Sequence, residues 1–297
     1  METKWLEDFL LLLETRSFSK AAERRHITQP AFSRRIRALE EWLGVCLVDR
    51  SRKPLEFTPA ALAYQAEIRN LLSTTYRLRS HMVAEDDRAN RMFIASQHTL
   101  ATEFLPNLIR RMESAGLHNT YRLRSANKSD CVTLLMQGHV MFLLCYESVA
   151  RPERLSSAVS RTVVGRDRLR LVSAASAGVA LHDLVSERPL SMLSYPQESF
   201  FGQLLWNERL PQLMRDADIE TVCETAFALS LRELVLSGAG VAWLPEILIH
   251  SQLSSGTLVA LDHVADACEL DIVVYAHRHA ANSTTRRIWE FFENYNE

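Results

Sequence analysis

Residues 16–37, RSFSKAAERRHITQPAFSRRIR, hold seven Lys or Arg against one Glu, in a 297-residue chain whose formal charge is −2. A basic excess confined to one short stretch of a near-neutral chain is a local device. Phosphate neutralisation by Lys and Arg supplies most of the sequence-independent affinity for DNA. The charge rides on two short helical patterns. Ser17 is placed to cap a helix through Ala21, Ala22 and Arg25. Thr28 is placed to cap the next, with Pro30 in its first turn, where a missing N–H costs little. That helix continues through Ile36, Leu39 and Leu43 and stops at Gly44, a residue suited to helix ends. Upstream, Trp5, Leu6, Phe9, Leu10, Leu12 and Leu13 recur at helical spacing. Downstream, VCLVDR and PLEFT read as the two strands of a small wing. Residues 1–57 are therefore expected to form a winged helix-turn-helix that binds double-stranded DNA.

Such a unit lays its second helix in the major groove, first turn toward the base edges. Thr28 opens that helix. Gln29 is the strongest base reader, since its amide bonds adenine bidentately. Pro30 and Ala31 offer apolar contact to thymine methyls. Ser33 is short enough to serve base or phosphate, and Arg34 reaches guanine or phosphate. Arg35 and Arg37 suit the DNA backbone or a solvated face. Ser19 is placed for a phosphate, and Arg50, Arg52 and Lys53 for phosphate or minor groove at the wing tip.

Residues 58–90 form a second zone. Thr58-Pro59 is another cap-then-proline start. Tyr64, Ile68, Leu71, Thr75, Leu78 and Met82 then follow at spacings of 4, 3, 4, 3 and 4. That pattern is a coiled-coil seam, and a dimer is favoured over a helix packed on its own domain. Glu85-Asp86-Asp87-Arg88 reads as a polar hinge. From 91 to 297, strand-like runs at 92–96, 120–125, 140–146, 168–173, 219–223, 240–244 and 270–276 alternate with helical stretches. This predicts a mainly parallel α/β sheet in two sub-domains. Ligands of such folds bind between the halves. Ser96, Gln97, His98, Thr99 and Leu100, between a strand and the next helix, offer hydroxyls and free N–H groups to an anion. His98 is read either as a ligand contact or as a histidine bonded to backbone.

Other chemistry finds little support. The five cysteines are scattered and form no C-x-x-C pair, so free thiols in a reducing compartment are expected. His277 and His279 form an H-x-H pair with no convincing third ligand for a metal. There is no P-loop, dinucleotide fingerprint or nucleophile elbow, so neither an enzyme nor a cofactor is expected. Acids within METKWLEDFLLLLE argue against a signal peptide, and no apolar run has the length of a membrane span. A cytoplasmic protein with no membrane partner is expected.

The run FSKAAERRHITQPAFSRRIRALEEWLGVCLVDR resembles the DNA-binding signature of LysR-type transcriptional regulators, through Ala21-Ala22, Thr28-Gln29-Pro30-Ala31, Ser33, Ile36, Leu39-Glu40, Leu43-Gly44, Leu47 and Arg50. Phe104-Leu105-Pro106 and Gly238-x-Gly240-Val-Ala-Trp-Leu-Pro245 fit the same family. The resemblance implies a long linker helix, a periplasmic-binding-protein-like effector domain and a homodimer or homotetramer. It implies further pocket walls at Ser125, Ala126, Tyr195, Phe200, Phe201, Gly202 and Phe227. It departs after Gly138, where His139–Leu144 supplies no acid in a strand that often carries one. The runs IASQHTLATEFLP, SYPQESFFG and GVAWLPE are similar to hypochlorite-responsive members, but Phe200-Phe201 and Leu229-Ser230 stand where methionines are expected. The function implied is a sequence-specific DNA-binding regulator gated by a small-molecule effector or an oxidant. The alternative is a ligand-independent DNA-binding protein whose C-terminal domain only oligomerises.

Overall fold

Three helices build the N-terminal core because each presents an apolar stripe to the others. The computed structural model describes residues 2–50, 55–86, 91–153, 155, 159–177, 189–278 and 283–295, in two compact units, Met1–Met82 and Val83–Glu297. Helix α1 (Thr3–Thr15) buries Leu6, Phe9 and Leu12. Helix α2 (Phe18–Arg24) begins at Ser17, whose hydroxyl accepts the Lys20 N–H, and buries Ala21 and Ala22. Helix α3 (Gln29–Leu43) adds Phe32, Ile36 and Leu39 and ends at Gly44 with φ of 71°. Thr28 has the extended backbone of a cap, yet its side chain makes no capping bond. Its carbonyl takes the Phe32 N–H instead.

A buried carboxylate pins these helices. Asp8 of α1 has no exposed surface. It accepts from Arg25 Nε at 2.6 Å and from Arg35 Nη1 at 3.3 Å, while Arg25 also reaches Glu7 at 2.8 Å. One acid thus joins α1 to α3 and to the residue that ends α2.

Strands β1 (Val48–Asp49) and β2 (Glu56–Phe57) pair antiparallel as the wing. Glu40 of α3 secures its base, accepting from the Leu47 and Val48 N–H groups at 2.9 and 3.2 Å and from Arg50 at 3.0 Å. Thr58 caps α4 (Pro59–Ala63) and donates its hydroxyl to the Cys46 carbonyl. Helix α5 (Gln65–Asp86) follows. Tyr64 sits at the break between α4 and α5, so the expected seam is not one continuous helix. Its face is divided as well. Leu72 and Tyr76 are buried in the N-terminal core and Ile68 packs on it, whereas Tyr64, Leu71 and Leu78 are exposed. Thr75 is also exposed and turns its hydroxyl to the Leu71 carbonyl. Met82 lies on α5, with its side chain outside what is described.

The second unit runs β3 (Arg91–Ser96), α6 (His98–Glu103), α7 (Leu105–Ser114), β4 (Thr120–Ser125), α8 (Lys128–Met136), β5 (Phe142–Ser148), β6 (Val159–Ala174), β7 (Leu190–Ser194), α9 (Phe200–Glu208), α10 (Leu210–Asp216), β8 (Ile219–Glu224), α11 (Ala228–Leu236), β9 (Val241–Pro245), α12 (Glu246–Ser254), β10 (Leu258–Ala260), β11 (Cys268–His277) and α13 (Ser283–Glu293). Its strands form one sheet in the order β4-β3-β5-β11-β6-β9-β7-β8, with β10 alongside β6. The triplets β4-β3-β5 and β9-β7-β8 are parallel. β6 and β11 run antiparallel to each other, and to β9 and β5. The expected mainly parallel sheet is therefore corrected to a mixed one. Two long strands cross the middle and serve both halves.

Buried polar pairs hold the crossing. Asp167 of β6 accepts the Tyr146 hydroxyl at 2.7 Å and the N–H groups of Arg168 and Ile247 at 2.8 and 3.1 Å. It thereby links β5, β6 and the start of α12. Gly240, at φ of 156°, lies so close to β7 that a Cβ there would meet the Ser191 carbonyl oxygen at 2.4 Å.

Two stability tests follow from these buried acids. Asp8→Asn removes a charge-assisted acceptor and should lower unfolding stability by about 1.5–3 kcal/mol in urea denaturation; an unchanged midpoint would refute the pin. Burial pushes the Asp167 carboxyl from 3.8 up to about 6. The fold therefore favours the protonated acid, and its contribution is complete below about pH 4 and lost by about pH 6. Relative to Asp167→Asn, the wild type should lose about 3 kcal/mol across that window. Parallel pH–stability curves for the two proteins would contradict it.

Candidate functional site

Two surfaces carry the chemistry. The first is the solvent side of α3 and the wing. Burying Phe32, Ile36 and Leu39 turns Gln29, Pro30, Arg34 and Arg37 outward, and all four are exposed. Arg34 and Arg37 make no ion pair among the described residues, which leaves two cations for an outside anion. Thr28 and Ser19 are exposed, and Ala31 and Ser33 half-buried. Arg50 donates to Ser33 Oγ at 3.2 Å, pairs with Glu40 and lies over the Phe18 ring at 5.6 Å. Ser33 and Arg50 are thus one coupled group. Arg35 differs from its expected role. It is tied to buried Asp8 and belongs to the helix pin. Arg52 and Lys53 fall outside the described residues.

The second surface is a cleft between the halves of the C-terminal unit. It is lined by the first turns of helices: Gln97, His98 and Thr99 at α6, Asn127 and Lys128 at α8, and Ser199, Phe200 and Phe201 at α9, with Ala126, Tyr146 and Ala226 completing the wall. The orphan N–H groups and positive dipole ends of such turns favour an anion. The free space is about 30 Å³, room for a water or two.

Contacts across the cleft explain this tightness. His98 of the first half lies 4.8 Å from the Phe227 ring of the second. Tyr146 and Phe201 meet at 5.5 Å, and the Lys128 ammonium lies 4.3 Å from the centre of the Phe200 ring. Ser125 Oγ bonds His98 Nδ1 at 2.8 Å. His98 thus holds a side-chain hydroxyl rather than backbone, and burial lowers its pKa.

Several expected wall residues do other work. Ser96 and Leu100 are buried, Leu100 within the apolar core. Gln97 spends its carbonyl oxygen on the Tyr146 N–H at 2.7 Å. Tyr195 is buried beneath Phe201 and donates to the Trp243 carbonyl. Gly202 is a packing glycine, since a Cβ there would lie 2.0 Å from the Pro196 carbonyl oxygen.

Lys128 is the residue that sequence reasoning missed. It is 7 % exposed and donates to Glu153 Oε1 at 2.8 Å. A lysine in KSDCVTLLM reads as a solvated helix start, and only the fold brings Phe200 and Glu153 to it.

Elsewhere, His277 Nε2 donates to the Leu135 carbonyl, and His279 lies outside the described residues. Among the described residues no group of acids, histidines and cysteines is arranged to hold a metal. Among the described residues no helix is long and apolar enough to cross a membrane.

Residues 3–62 match the family model of the bacterial regulatory helix-turn-helix protein, lysR family, and residues 85–296 match the LysR substrate binding domain. The chain is 32 % identical over 293 residues to the HTH-type transcriptional regulator YjiE of Escherichia coli K12, covering 97 % of this chain and 93 % of that protein. It is 28 % identical over 272 residues to BenM of Acinetobacter baylyi, covering 88 % and 86 %. Among solved structures, Vibrio fischeri DarR in complex with DNA superposes with a TM-score of 0.60 at 26 % identity, covering 100 % of this chain and 99 % of that one. Full-length HypT of Salmonella typhimurium, a hypochlorite-specific LysR-type regulator, gives 0.59 at 27 % identity, covering 99 % and 98 %. With the helix-turn-helix, the wing and the two-halved domain in place, this chain belongs to the LysR family: it is a DNA-binding transcriptional regulator with an effector-binding domain.

Proposed function

We propose that the regulator reads its operator with the first turns of α3 and the wing, and that a small anionic effector between the halves of its C-terminal domain gates that reading. Lys128 carries the effector half. This ammonium has three N–H donors, of which one is bound to a protein acceptor, Glu153, so it has donors left for a ligand. A buried cation on a cleft wall, flanked by helix N-termini, selects an anion.

The roles follow the exposure pattern. Gln29 reads adenine, Pro30 and Ala31 touch thymine methyls, and Arg34 reaches guanine or phosphate. Arg37, Ser19 and the Ser33–Arg50 couple meet the backbone, with Arg52 and Lys53 assigned to the wing tip. We assign 1–57 to DNA binding, 58–90 to the linker and 91–297 to the effector domain. The exposed line of Tyr64, Leu71, Thr75 and Leu78 supports self-association as a homodimer or homotetramer. The protein would work in the cytoplasm, where its DNA lies.

An oxidant such as hypochlorite is the second reading, supported by the likeness to HypT. Three of the five thiols are buried and poor targets for it, whereas Cys46 is exposed and Cys223 half-buried. Burial pushes Cys131 up to about 11, and Cys145 and Cys268 up to about 12, which removes the reactive thiolate. Met92, Met112 and Met192 are buried in the core.

Two experiments test the proposal. Arg34→Ala should weaken operator binding by about 1–3 kcal/mol in gel-shift titration, and Gln29→Ala should relax base preference more than it lowers overall affinity; wild-type behaviour from both would remove α3 as the reader. A thermal-shift screen of the full chain should find small carboxylates or other anions that raise the midpoint, with the response lost in Lys128→Met. Stabilisation by neutral compounds alone would exclude an anionic effector, and silence from every class would favour a domain that only oligomerises.

A further inference from the structure

The cleft's cation already holds an anion that belongs to the chain. Glu153 is not part of the cleft wall. It reaches the Lys128 ammonium from a position about half in solvent, with 46 % of its side chain exposed against 7 % for the lysine. The ammonium thus lies between the Glu153 carboxylate at 2.8 Å and the Phe200 ring at 4.3 Å. Tyr275 donates its hydroxyl to Glu147, a fully buried acid held by Arg161, and its oxygen lies 3.2 Å from the Glu153 carbonyl. The Glu153 side chain, about half in solvent, can turn from Lys128 toward water without crossing the core.

We propose that Glu153 is a tethered competitor. Its carboxylate neutralises Lys128 when the cleft is empty, and a free carboxylate effector takes over the ammonium and returns Glu153 to water. This rests on the effector reading given above. Lys128, almost wholly buried, needs a counter-anion in either state. Glu153, half solvated already, is the partner that leaves at least cost. Holding two carboxylates on one ammonium would place like charges together in a low-dielectric site. Exchange keeps the local charge constant, so one anion replaces another of the same kind. Lys128 is the one Lys or Arg on the described cleft wall, and burial favours neutral His98. The ligand class is therefore a monocarboxylate, with an apolar body to lie against Phe200.

Acetate, the headgroup of glutamate as a free ion, is the probe. Its affinity can be read from the thermal midpoint of the full chain against acetate concentration, at constant ionic strength, for wild type, Glu153→Gln and Lys128→Gln. Glu153→Gln should bind acetate about 2- to 5-fold more tightly, the mass-action worth of an ion pair with this exposure. Its midpoint without acetate should fall below wild type and recover as acetate is added. Lys128→Gln should not respond. If Glu153→Gln binds acetate no better than wild type while Lys128→Gln loses binding, Glu153 is a structural partner and the competitor is rejected, with the anion cleft intact. An unchanged response in Lys128→Gln, or none in any of the three proteins, removes cleft site and competitor together.

Discussion

The antiparallel pairing of β6 with β11 is the constraint on which the C-terminal unit depends. Each parallel triplet with its covering helices is a small α/β half. Parallel strands need crossover connections, so neither triplet can close on itself with hairpins. The long pair solves this by giving each triplet an antiparallel neighbour, β11 beside β5 and β6 beside β9. The core then runs continuously, from Met92 and Phe142 in one half to Met192 and Trp243 in the other. The helix N-termini of both halves consequently face one cleft.

That cleft is filled by its own aromatic side chains. Three contacts span it, from His98, Tyr146 and Lys128 to Phe227, Phe201 and Phe200. Each joins a group on one half to a ring on the other, so a ligand bound there, as proposed, would change how the halves bear on each other. This is how a small molecule acquires leverage over a domain: it competes with contacts that already hold a two-part body in one arrangement.

Much of the fold was legible because local rules dominate there. The strands at 120–125 and 219–223 and the end of α3 at Gly44 follow from alternation and capping. The short strand β7 and the first half of β6 were not legible. LSMLS carries too few residues for a period, and the many arginines of VSRTVVGRDRLR hide its alternation. The site was legible only in part for a related reason. His98, Phe200 and Phe201 stand in recognisable runs, but Lys128 acquires its role from burial against groups distant in sequence. Arg35 shows the converse. Its charge belongs to a basic cluster, yet a buried aspartate on another helix claims it.

Glu40 spends one carboxylate on two backbone N–H groups of the wing and on Arg50. Helix α3 and the wing base are thereby a single mechanical piece, and drift at Glu40 or Arg50 would disturb both together. Gln29, Pro30, Arg34 and Arg37 stand outside that piece, exposed and unburdened by the core. Substitutions at these four positions can therefore accumulate while the scaffold that presents them stays as it is.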